Sequence, residues 1–289
     1  MKNLKFFFIF YSFIWVFYSC DKIEGPYIEN NIITDTIACP IPQFTVKTNF
    51  QKNVLLEEFT GFRCGYCPQG HRLLDSLSII YGSKLISYSI HSGYYSEPKI
   101  NTNYKIDFRT QSGLDIFDYF QIKDTPKAMI DRNSIKGSYA VNTNGWKENL
   151  DMELAKAPVL DIQIKADIDT VNHKLCSHIR VQCLQTFSQN LNLTVYLVED
   201  NIKYWQTDYS ADPQDIENYN HRDVLRASIN GTWGEQLNQA TVVKDQFFIK
   251  SYKFYYNNNW NYKNLKIIAF VTDKATKEVL QAEKFSLEK

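Results

Sequence analysis

The stretch VLLEEFTGFRCGYCPQG, residues 54–70, places two cysteines between an apolar strand pattern and a helical pattern. Cys64 and Cys67 are three positions apart, so at the start of a helix their thiols can close a small disulfide reversibly. The free N–H groups and the positive end of the helix dipole favour Cys64 as the thiolate, which is the form that attacks disulfides. Arg63 adds positive charge beside it. The stretch therefore predicts a strand–turn–helix unit built around a cysteine pair.

Length and charge limit what the protein can be. At 289 residues the chain is long enough for two domains of roughly 150 residues each. Lys plus Arg and Asp plus Glu are equal at 32 each, so no overall charge attracts the protein to nucleic acid, and we expect no nucleic-acid partner. Aromatic residues make up 15% of the chain, which is typical of a β-rich protein.

The N-terminus has the pattern of a secretory signal. Two lysines precede an apolar run at residues 6–18, and Cys20 follows it. The run has about 13 apolar residues, fewer than the roughly 20 that a membrane-spanning helix needs, so residues 1–19 are predicted to be a signal peptide. The segment resembles a bacterial lipoprotein signal, which implies cleavage before Cys20 and lipidation of that cysteine. The alternative is an ordinary signal peptide in which Cys20 is a bystander.

Export would place the remaining cysteines where disulfides persist. Six cysteines less Cys20 leave five, so one is unpaired in any set of intramolecular disulfides. Cys176 and Cys183 lie in the alternating run LCSHIRVQC, residues 175–183. Seven strand residues span about 23 Å, which is too far for a disulfide between these two. We therefore interpret both as small buried hydrophobic residues.

The first half of the mature chain has two parts. Residues 20–43 mix Asn, Pro, Gly and charged residues without a sustained period, which is typical of a tether. From residue 44 to 158, strand and helix patterns alternate, which predicts an α/β domain, and Pro158 marks its end. The predicted elements are a strand at 54–59, a helix at 66–81, a strand at 84–91, a helical insertion at 97–123, a strand at 128–131 and a helix at 144–157.

After Pro158 the hydrophobic pattern changes to a period of two, and no helical pattern follows. Several short strands without helices predict an all-β, immunoglobulin-like sandwich at residues 159–289. The predicted strands are 161–169, 176–183, 191–199, 240–249, 265–273 and 278–285.

A long polar stretch at residues 208–234 interrupts these strands, and we predict a loop there. It either binds a ligand or is held against the sheet by an ion pair between Asp223 and Arg226. Trp205 and Tyr209 are candidates for a sugar or peptide platform, or else for core positions.

Several motifs together carry a family resemblance. The order of elements around the cysteine pair resembles the thioredoxin fold with one helical insertion. Over about residues 44–289 the chain resembles the twenty-eight-kilodalton outer-membrane protein family of Gram-negative bacteria, which implies an outer-membrane lipoprotein. The runs that carry this resemblance are EEFTGFRCGYCPQG (57–70), DFRTQSGLDIFDYF (107–120), TPKAMIDR (125–132) and HRDVLRASINGTWGE (221–235).

The resemblance also assigns roles to residues near the cysteine pair. It implies that Cys64 is the exposed nucleophile and that Cys67 is the resolving thiol beneath it. Pro126 matches the cis proline that lies against the disulfide in thioredoxin folds. Glu58 matches the buried acid that handles the proton of the resolving cysteine, with a pKa raised by burial. The alternative is that Glu58 faces solvent and that Glu57 points inward.

Three interpretations of the cysteine pair remain open at this stage. It is a redox-active dithiol that exchanges with thiols or disulfides of extracytoplasmic proteins, a static disulfide in a binding or structural protein, or part of a metal site. A zinc site needs four ligands, and His71 and His91 do not complete a recognisable spacing, so we expect neither metal nor cofactor. His71 is expected to face solvent.

Overall fold

The computed structural model describes residues 39–135 and 137–288. The predicted signal peptide, residues 1–19, and the lipidation site Cys20 lie outside the described residues. The helices are α1 (Cys67–Tyr81), α2 (Gln111–Tyr119) and α3 (Thr143–Leu154), with short 3-10 turns at Gly82–Lys84, Tyr94–Ser96 and Tyr262–Asn264. The strands are β1 (Val54–Thr60), β2 (Leu85–His91), β3 (Lys127–Ile130), β4 (Ala140–Val141), β5 (Leu160–Asp169), β6 (Lys174–Cys183), β7 (Leu191–Glu199), β8 (Ile202–Thr207), β9 (Asp215–His221), β10 (Val224–Ser228), β11 (Glu235–Gln236), β12 (Phe247–Tyr255), β13 (Leu265–Asp273) and β14 (Val279–Ser286).

The fold is mostly β with few helices, and its largest sheet is mixed. Within the described part of the chain this sheet has the strand order β14-β13-β7-β10-β2-β1-β3-β4, with β11 paired to β7. β1 runs parallel to β2 and antiparallel to β3, and β10 joins β2 in parallel at Val224 and Ser89. The sheet therefore continues across the predicted boundary at Pro158, and the division into two domains stays a prediction.

Every residue of β1, VLLEEFT, is buried, so both faces of this strand are covered and its two glutamates lie in the interior. Alternate side chains point to opposite faces of a strand. Val54 and Leu56 pack with α1 and α3 around Trp146, whereas Leu55 and Phe59 join a second apolar cluster. That second cluster contains side chains of β7, β10, β13 and β14, so the second half of the chain covers this face of β1.

A second sheet covers one face of β7 and β13. β5, β6 and β12 form a three-stranded antiparallel sheet in the order β12-β6-β5. Its apolar side chains pack against those of β7 and β13 in one large cluster, which includes Ile162, Val181, Val195, Phe254 and Ile267. β8 and β9 pair only with each other and form a separate hairpin.

The predicted polar loop at 208–234 is wrong in part, because it contains β9 and β10. β9 has the sequence DIENYNH and is partly exposed, so it lacks the alternating apolar residues that identify a strand. The expected ion pair between Asp223 and Arg226 is also absent from the described contacts. Arg226 lies 3.4 Å from Glu199, and Asp223 accepts hydrogen bonds from Lys266 and Lys284.

The interpretation of Cys176 as a buried hydrophobic residue is wrong, because Cys176 forms a disulfide with Cys39. Their Cα atoms are 5.8 Å apart, and 137 positions separate them in sequence. Cys39 is 2% exposed, so this bond fastens the end of the predicted tether to β6. The pattern along β6 could not reveal a partner so distant in sequence. Cys183 is free and buried, as expected.

An ion pair lies inside the second apolar cluster. The guanidinium of Arg132 donates to both carboxylate oxygens of Glu57, at 2.7 and 2.8 Å, and Tyr88 donates its hydroxyl to the same carboxylate. Arg132 also lies over the ring of Phe270, 5.0 Å from its centroid. Both members of the pair are almost fully buried, so each depends on the other for charge compensation.

We expect Cys176→Ala to lower the free energy of unfolding by about 2–5 kcal/mol, because the Cys39–Cys176 bond closes a long loop in the unfolded chain. Denaturant unfolding of the full chain measures this loss. The double variant Cys39→Ala/Cys176→Ala should lose no more than either single variant, since all three lack the same bond. A double-variant loss equal to the sum of the two single losses would contradict the pairing.

Replacing Arg132 by Leu leaves the Glu57 carboxylate buried without its partner. We expect a loss of about 3–5 kcal/mol in the free energy of unfolding at neutral pH. The double variant Glu57→Gln/Arg132→Leu should lose less than the sum of the single variants. Lys147→Ala is the control, because it breaks an exposed ion pair with Asp151 and should leave the free energy of unfolding nearly unchanged. Equal losses for Arg132→Leu and Lys147→Ala would show that the buried pair matters no more than a surface one.

Candidate functional site

The cysteine pair lies where β1 passes to α1. Cys67 is the first residue of α1, and Cys64 is in the preceding turn, where its N–H donates to the carbonyl oxygen of Gly61 at 3.0 Å. The Cα atoms of Cys64 and Cys67 are 5.3 Å apart and their sulfurs form a disulfide. Pro68 follows in the first helical turn, where a residue without an N–H loses no hydrogen bond. The pair is thus held at the N-terminus of a helix, as predicted.

Pro126 lies beside this disulfide. The Thr125–Pro126 peptide bond is cis, as the resemblance implies, and it leads directly into β3. The carbonyl oxygen of Thr125 is 3.7 Å from Sγ of Cys64. On the helix side, a Cβ atom added to Gly70 would lie 3.2 Å from Cβ of Pro126. Pro126 therefore packs between the disulfide and the first turns of α1.

Glu58 is buried, with 1% of its surface exposed, so the solvent-facing alternative is wrong. Its Oε2 accepts a hydrogen bond from the Ser89 hydroxyl at 3.1 Å, whereas its Oε1 has no hydrogen-bond partner. A Cβ atom on Gly70 would lie 3.0 Å from Oε1, so the carboxyl group lies directly under α1. Burial raises the pKa of Glu58 to about 8, against a smaller lowering by the Ser89 hydrogen bond. Glu57 is buried too, but on the opposite face of β1.

A cleft of about 220 Å³ lies where β2 and β10 meet, and its lining includes Ser89, Arg222, Lys266 and Lys284. Glu58 is not part of this lining. Ser89 both lines the cleft and donates its hydroxyl to the Glu58 carboxyl group, so one residue connects the cleft to the buried acid.

The β8–β9 hairpin covers the turn that carries the cysteines. The fully buried side-chain amide of Gln206 donates to the carbonyl oxygens of Cys64, at 3.1 Å, and Gly61, at 3.3 Å. Beyond β8, the N–H of Tyr209 donates to the carbonyl oxygen of Gly65 at 2.9 Å. A Cβ atom at Gly65 would come within 2.5 Å of the Tyr209 ring, so this close approach requires glycine.

Cys64 is only 3% exposed under this cover, so the expectation of an exposed nucleophile is wrong in this structure. The covering residues come from a part of the chain some 140 positions later, and no local pattern points to them. The exposed surface above the cysteine turn is formed by aromatic rings and not by the cysteine sulfurs. Tyr66 is 59% exposed and Tyr209 is 50% exposed, and their rings meet edge to face at 5.1 Å between centroids. Trp205 packs separately, against an apolar cluster that includes Phe62.

Ion pairs fasten the hairpin region to α1. Arg72 donates to Asp208 at 2.8 Å and to Ser210 at 3.1 Å. Arg222, directly after β9, donates to Asp75 at 2.7 Å. The Arg222–Asp75 pair is exposed and contributes little stability, whereas the Arg72–Asp208 pair joins a half-exposed guanidinium to a buried carboxylate.

His71 does not face solvent, which corrects that expectation. Its Nδ1 lies 2.7 Å from the hydroxyl of Tyr219 on β9, and its Nε2 lies 2.9 Å from Oγ1 of Thr60. Nε2 is also 3.6 Å from Oε1 of Glu58. Burial, with the nearby charges of His221 and Arg72, lowers the pKa of His71 to about 3. The imidazole is therefore neutral at physiological pH.

Two further histidines are buried behind His71. The rings of His91 and His221 lie 5.5 Å apart, and burial lowers the pKa of both, to about 4 for His221.

In residues 39–135 and 137–288, no group of three His, Cys, Asp or Glu side chains is arranged to hold a metal ion. Across the same residues, no helix is long and apolar enough to span a bilayer.

Four site residues were predicted from the sequence, namely Cys64, Cys67, Pro126 and Glu58, and the structure brings all four together at the start of α1. The residues that surround them were missed. Gln206, Tyr209 and Tyr219 come from the hairpin and Ser89 comes from β2, so only tertiary structure places them here. The roles of Cys64, Cys67, Pro126 and Glu58 in catalysis or in structure stay predictions.

One solved structure shares much of this fold. The structure of HBP35 from Porphyromonas gingivalis matches with a TM-score of 0.64 and 19% identity, covering 83% of this chain and 77% of that chain. At this identity the likeness shows the fold alone. A domain of the outer membrane lipoprotein Omp28 from Porphyromonas gingivalis is 22% identical, with a TM-score of 0.30, and covers 46% of this chain and 91% of that chain. No curated protein matches significantly.

A family model identifies the chain more directly. The model described as outer membrane protein Omp28 matches residues 115–289, which is more than half of the sequence. The matched region begins within α2 and extends through β3 and Pro126 to the last strand, so it includes the β8–β9 hairpin but not the cysteine pair. This match confirms the family resemblance found in the sequence. The chain belongs to the outer membrane protein Omp28 family.

Proposed function

We propose that this protein is an outer-membrane lipoprotein that carries out thiol–disulfide exchange on extracytoplasmic proteins. One observation carries the proposal. The Cys64–Cys67 disulfide lies at the N-terminus of α1, and the buried, unpaired Glu58 lies beneath the same helix. Helix starts favour thiolates, and a buried carboxyl group with a pKa near 8 can exchange protons near neutrality.

The strand order supports a thioredoxin-like domain at residues 44–158. β2, β1, β3 and β4 are adjacent in that order, with β1 and β2 parallel and β3 antiparallel, and α1 and α3 pack on one face. The packing of β5, β6 and β12 against β7 and β13 supports an immunoglobulin-like sandwich at residues 159–289. The continuous sheet would then join the two domains rigidly.

The proposed reaction uses the atoms of this site alone. The Cys64 thiolate attacks one sulfur of a substrate disulfide, whose S–S bond breaks and whose other sulfur leaves as a thiolate. Cys67 then gives its proton to the Glu58 carboxylate, and its thiolate attacks Sγ of Cys64 and releases the second substrate sulfur. Two electrons pass to the substrate, and the Cys64–Cys67 disulfide closes. The reverse steps oxidise a substrate dithiol.

Location follows from the family and from the N-terminus. Members of this family are outer membrane proteins, and the pattern of residues 1–20 supports a lipid anchor at Cys20. The partners would then be proteins of the periplasm or the cell surface, because the anchor holds the site at the membrane.

A static disulfide in a binding protein is the second candidate, and the burial of Cys64 favours it. At 3% exposure, Sγ of Cys64 cannot meet a protein disulfide unless the β8–β9 hairpin moves aside. The reduction potential separates the two candidates. A structural disulfide has a potential below about −300 mV, whereas a working dithiol has a higher one.

Cys67→Ser leaves Cys64 without its resolving thiol. We expect this variant to accumulate mixed disulfides with partner proteins, because the second step of exchange cannot occur. Non-reducing electrophoresis of membrane extracts measures these adducts. The matched controls are Cys64→Ser and the double variant, which should form none at this site. If Cys67→Ser forms no more adducts than the double variant, the static disulfide is the better explanation.

Glu58→Gln should change the pH dependence of stability. Burial raises the pKa of Glu58 from 4.5 to about 8, so the folded protein holds an extra proton between these values. The free energy of unfolding of the native protein therefore falls as pH rises through this range, by about 3–5 kcal/mol from this group. Glu58→Gln should remove that slope, as measured by urea unfolding from pH 4 to pH 9.

The exchange rate provides the second readout for Glu58. A rise in rate through about pH 8 should be present in the native protein and absent in Glu58→Gln. Glu148→Gln, on the exposed side of α3, is the control and should keep both dependences. Unchanged pH profiles in Glu58→Gln would exclude a proton-handling role for this residue.

A further inference from the structure

The orphaned oxygen of Glu58 requires an explanation. Oε1 is buried and has no hydrogen-bond partner, whereas Oε2 accepts one from Ser89. A buried polar atom without a partner is costly, and the cost grows when the carboxyl group ionises, because a low-dielectric site then holds an unsolvated charge. Nε2 of His71 lies 3.6 Å from Oε1, just beyond hydrogen-bond distance.

Each ring nitrogen of His71 contacts a hydroxyl group, Tyr219 at Nδ1 and Thr60 at Nε2, so these contacts fit either neutral tautomer. A neutral imidazole has one donor nitrogen and one acceptor nitrogen. The Tyr219 hydroxyl can donate to Nδ1, and Nε2–H is then free to donate to Oγ1 of Thr60 or to Glu58. Thr60 and Glu58 are two positions apart on β1, so their side chains lie on the same face of the strand beneath α1. A small rotation of the ring therefore moves Nε2–H from one acceptor to the other.

Titratable groups lie near this pair on α1, β2 and β9 and in the loop between β8 and β9, and the group on β2 is the buried His91. Arg72 and Asp75 are on α1, Tyr219 and His221 are on β9, and Asp208 is in the loop between β8 and β9. Arg72 is paired with Asp208, and Asp75 with Arg222. These pairs leave His71 as the group that faces Oε1 of Glu58. Because the imidazole is neutral, it acts as a directed N–H donor and not as a cation.

We propose that His71 is a positioning residue for Glu58, in which the Tyr219 hydroxyl holds the proton on Nε2 and Nε2–H turns to Oε1 when the carboxyl group ionises. This role rests on the proposed function, because it prepares Glu58 to take the proton of Cys67. It also connects the acid to the hairpin, since Tyr219 belongs to β9. Displacement of the hairpin would remove Tyr219 and leave the histidine proton free to move to Nδ1.

The proposal predicts the direction of the change in the pKa of Glu58. A donor that binds the ionised form lowers the pKa of an acid below the value that burial alone would set. Loss of the directed N–H should therefore raise the pKa of Glu58, by about one pH unit for one charge-assisted hydrogen bond.

The test is nuclear magnetic resonance of the full chain. The ¹³C signal of the Glu58 carboxyl group, assigned with Glu58→Gln, gives its pKa, and the ¹⁵N shifts of His71 give its tautomer. In the native protein we expect the proton on Nε2. Tyr219→Phe removes one hydroxyl and keeps the ring, so it should shift the proton toward Nδ1 and raise the pKa of Glu58. His71→Leu should raise it further, and His71→Gln, which keeps an N–H donor, should restore much of the difference.

Three results would overturn the proposal. They are a native His71 protonated at Nδ1, a Tyr219→Phe variant in which both the tautomer and the pKa of Glu58 are unchanged, and a His71→Gln variant that behaves like His71→Leu. The measurement does not require turnover, so it is independent of the trapping experiment. Absence of mixed disulfides in Cys67→Ser with the expected shifts here would remove the exchange function and leave the His71–Glu58 coupling intact.

Discussion

Burial of both faces of β1 is the constraint on which the site depends. Two consecutive glutamates occupy this strand, so each carboxyl group enters a different apolar layer. Glu57 forms an ion pair with Arg132, which donates to both of its carboxylate oxygens. Glu58 meets a serine hydroxyl and a neutral imidazole, neither of which supplies a counter-charge, so its proton is held until a higher pH. One strand thus contains two buried acids in different surroundings, one with a guanidinium partner and one without a counter-charge.

The second half of the chain completes this site as well as the fold. It lengthens the sheet through β10, covers one face of β1, and places the β8–β9 hairpin over the cysteine turn. The site is therefore built from both halves, although its reactive groups all come from the first. The Cys39–Cys176 disulfide adds a covalent link between the start of the described chain and β6.

Local patterns were sufficient to predict β1, α1 and β2, because their apolar residues repeat at the period of the element. The cysteine pair was predicted from the same local context, whereas Glu58 and Pro126 were assigned to the site by the family resemblance. β9 was missed, since a partly exposed hairpin strand such as DIENYNH needs few apolar residues. The Cys39–Cys176 bond and the partners of His71 were missed because they join residues far apart in sequence. The local sequence patterns could not predict contacts between residues far apart in the chain.

The β8–β9 hairpin forms hydrogen bonds with main-chain atoms of the cysteine turn. Its donors bind carbonyl oxygens of Gly61, Phe62, Cys64 and Gly65, and every amino acid offers such an oxygen. These hydrogen bonds therefore do not depend on the side chains of the turn, although close packing against Tyr95 and Tyr209 restricts Gly61 and Gly65 to glycine. Tyr66, which stands between the two cysteines and projects outward, is the position most free to vary. A substitution at this exposed position would change the surface above the disulfide and leave the hydrogen bonds that cover its sulfurs in place.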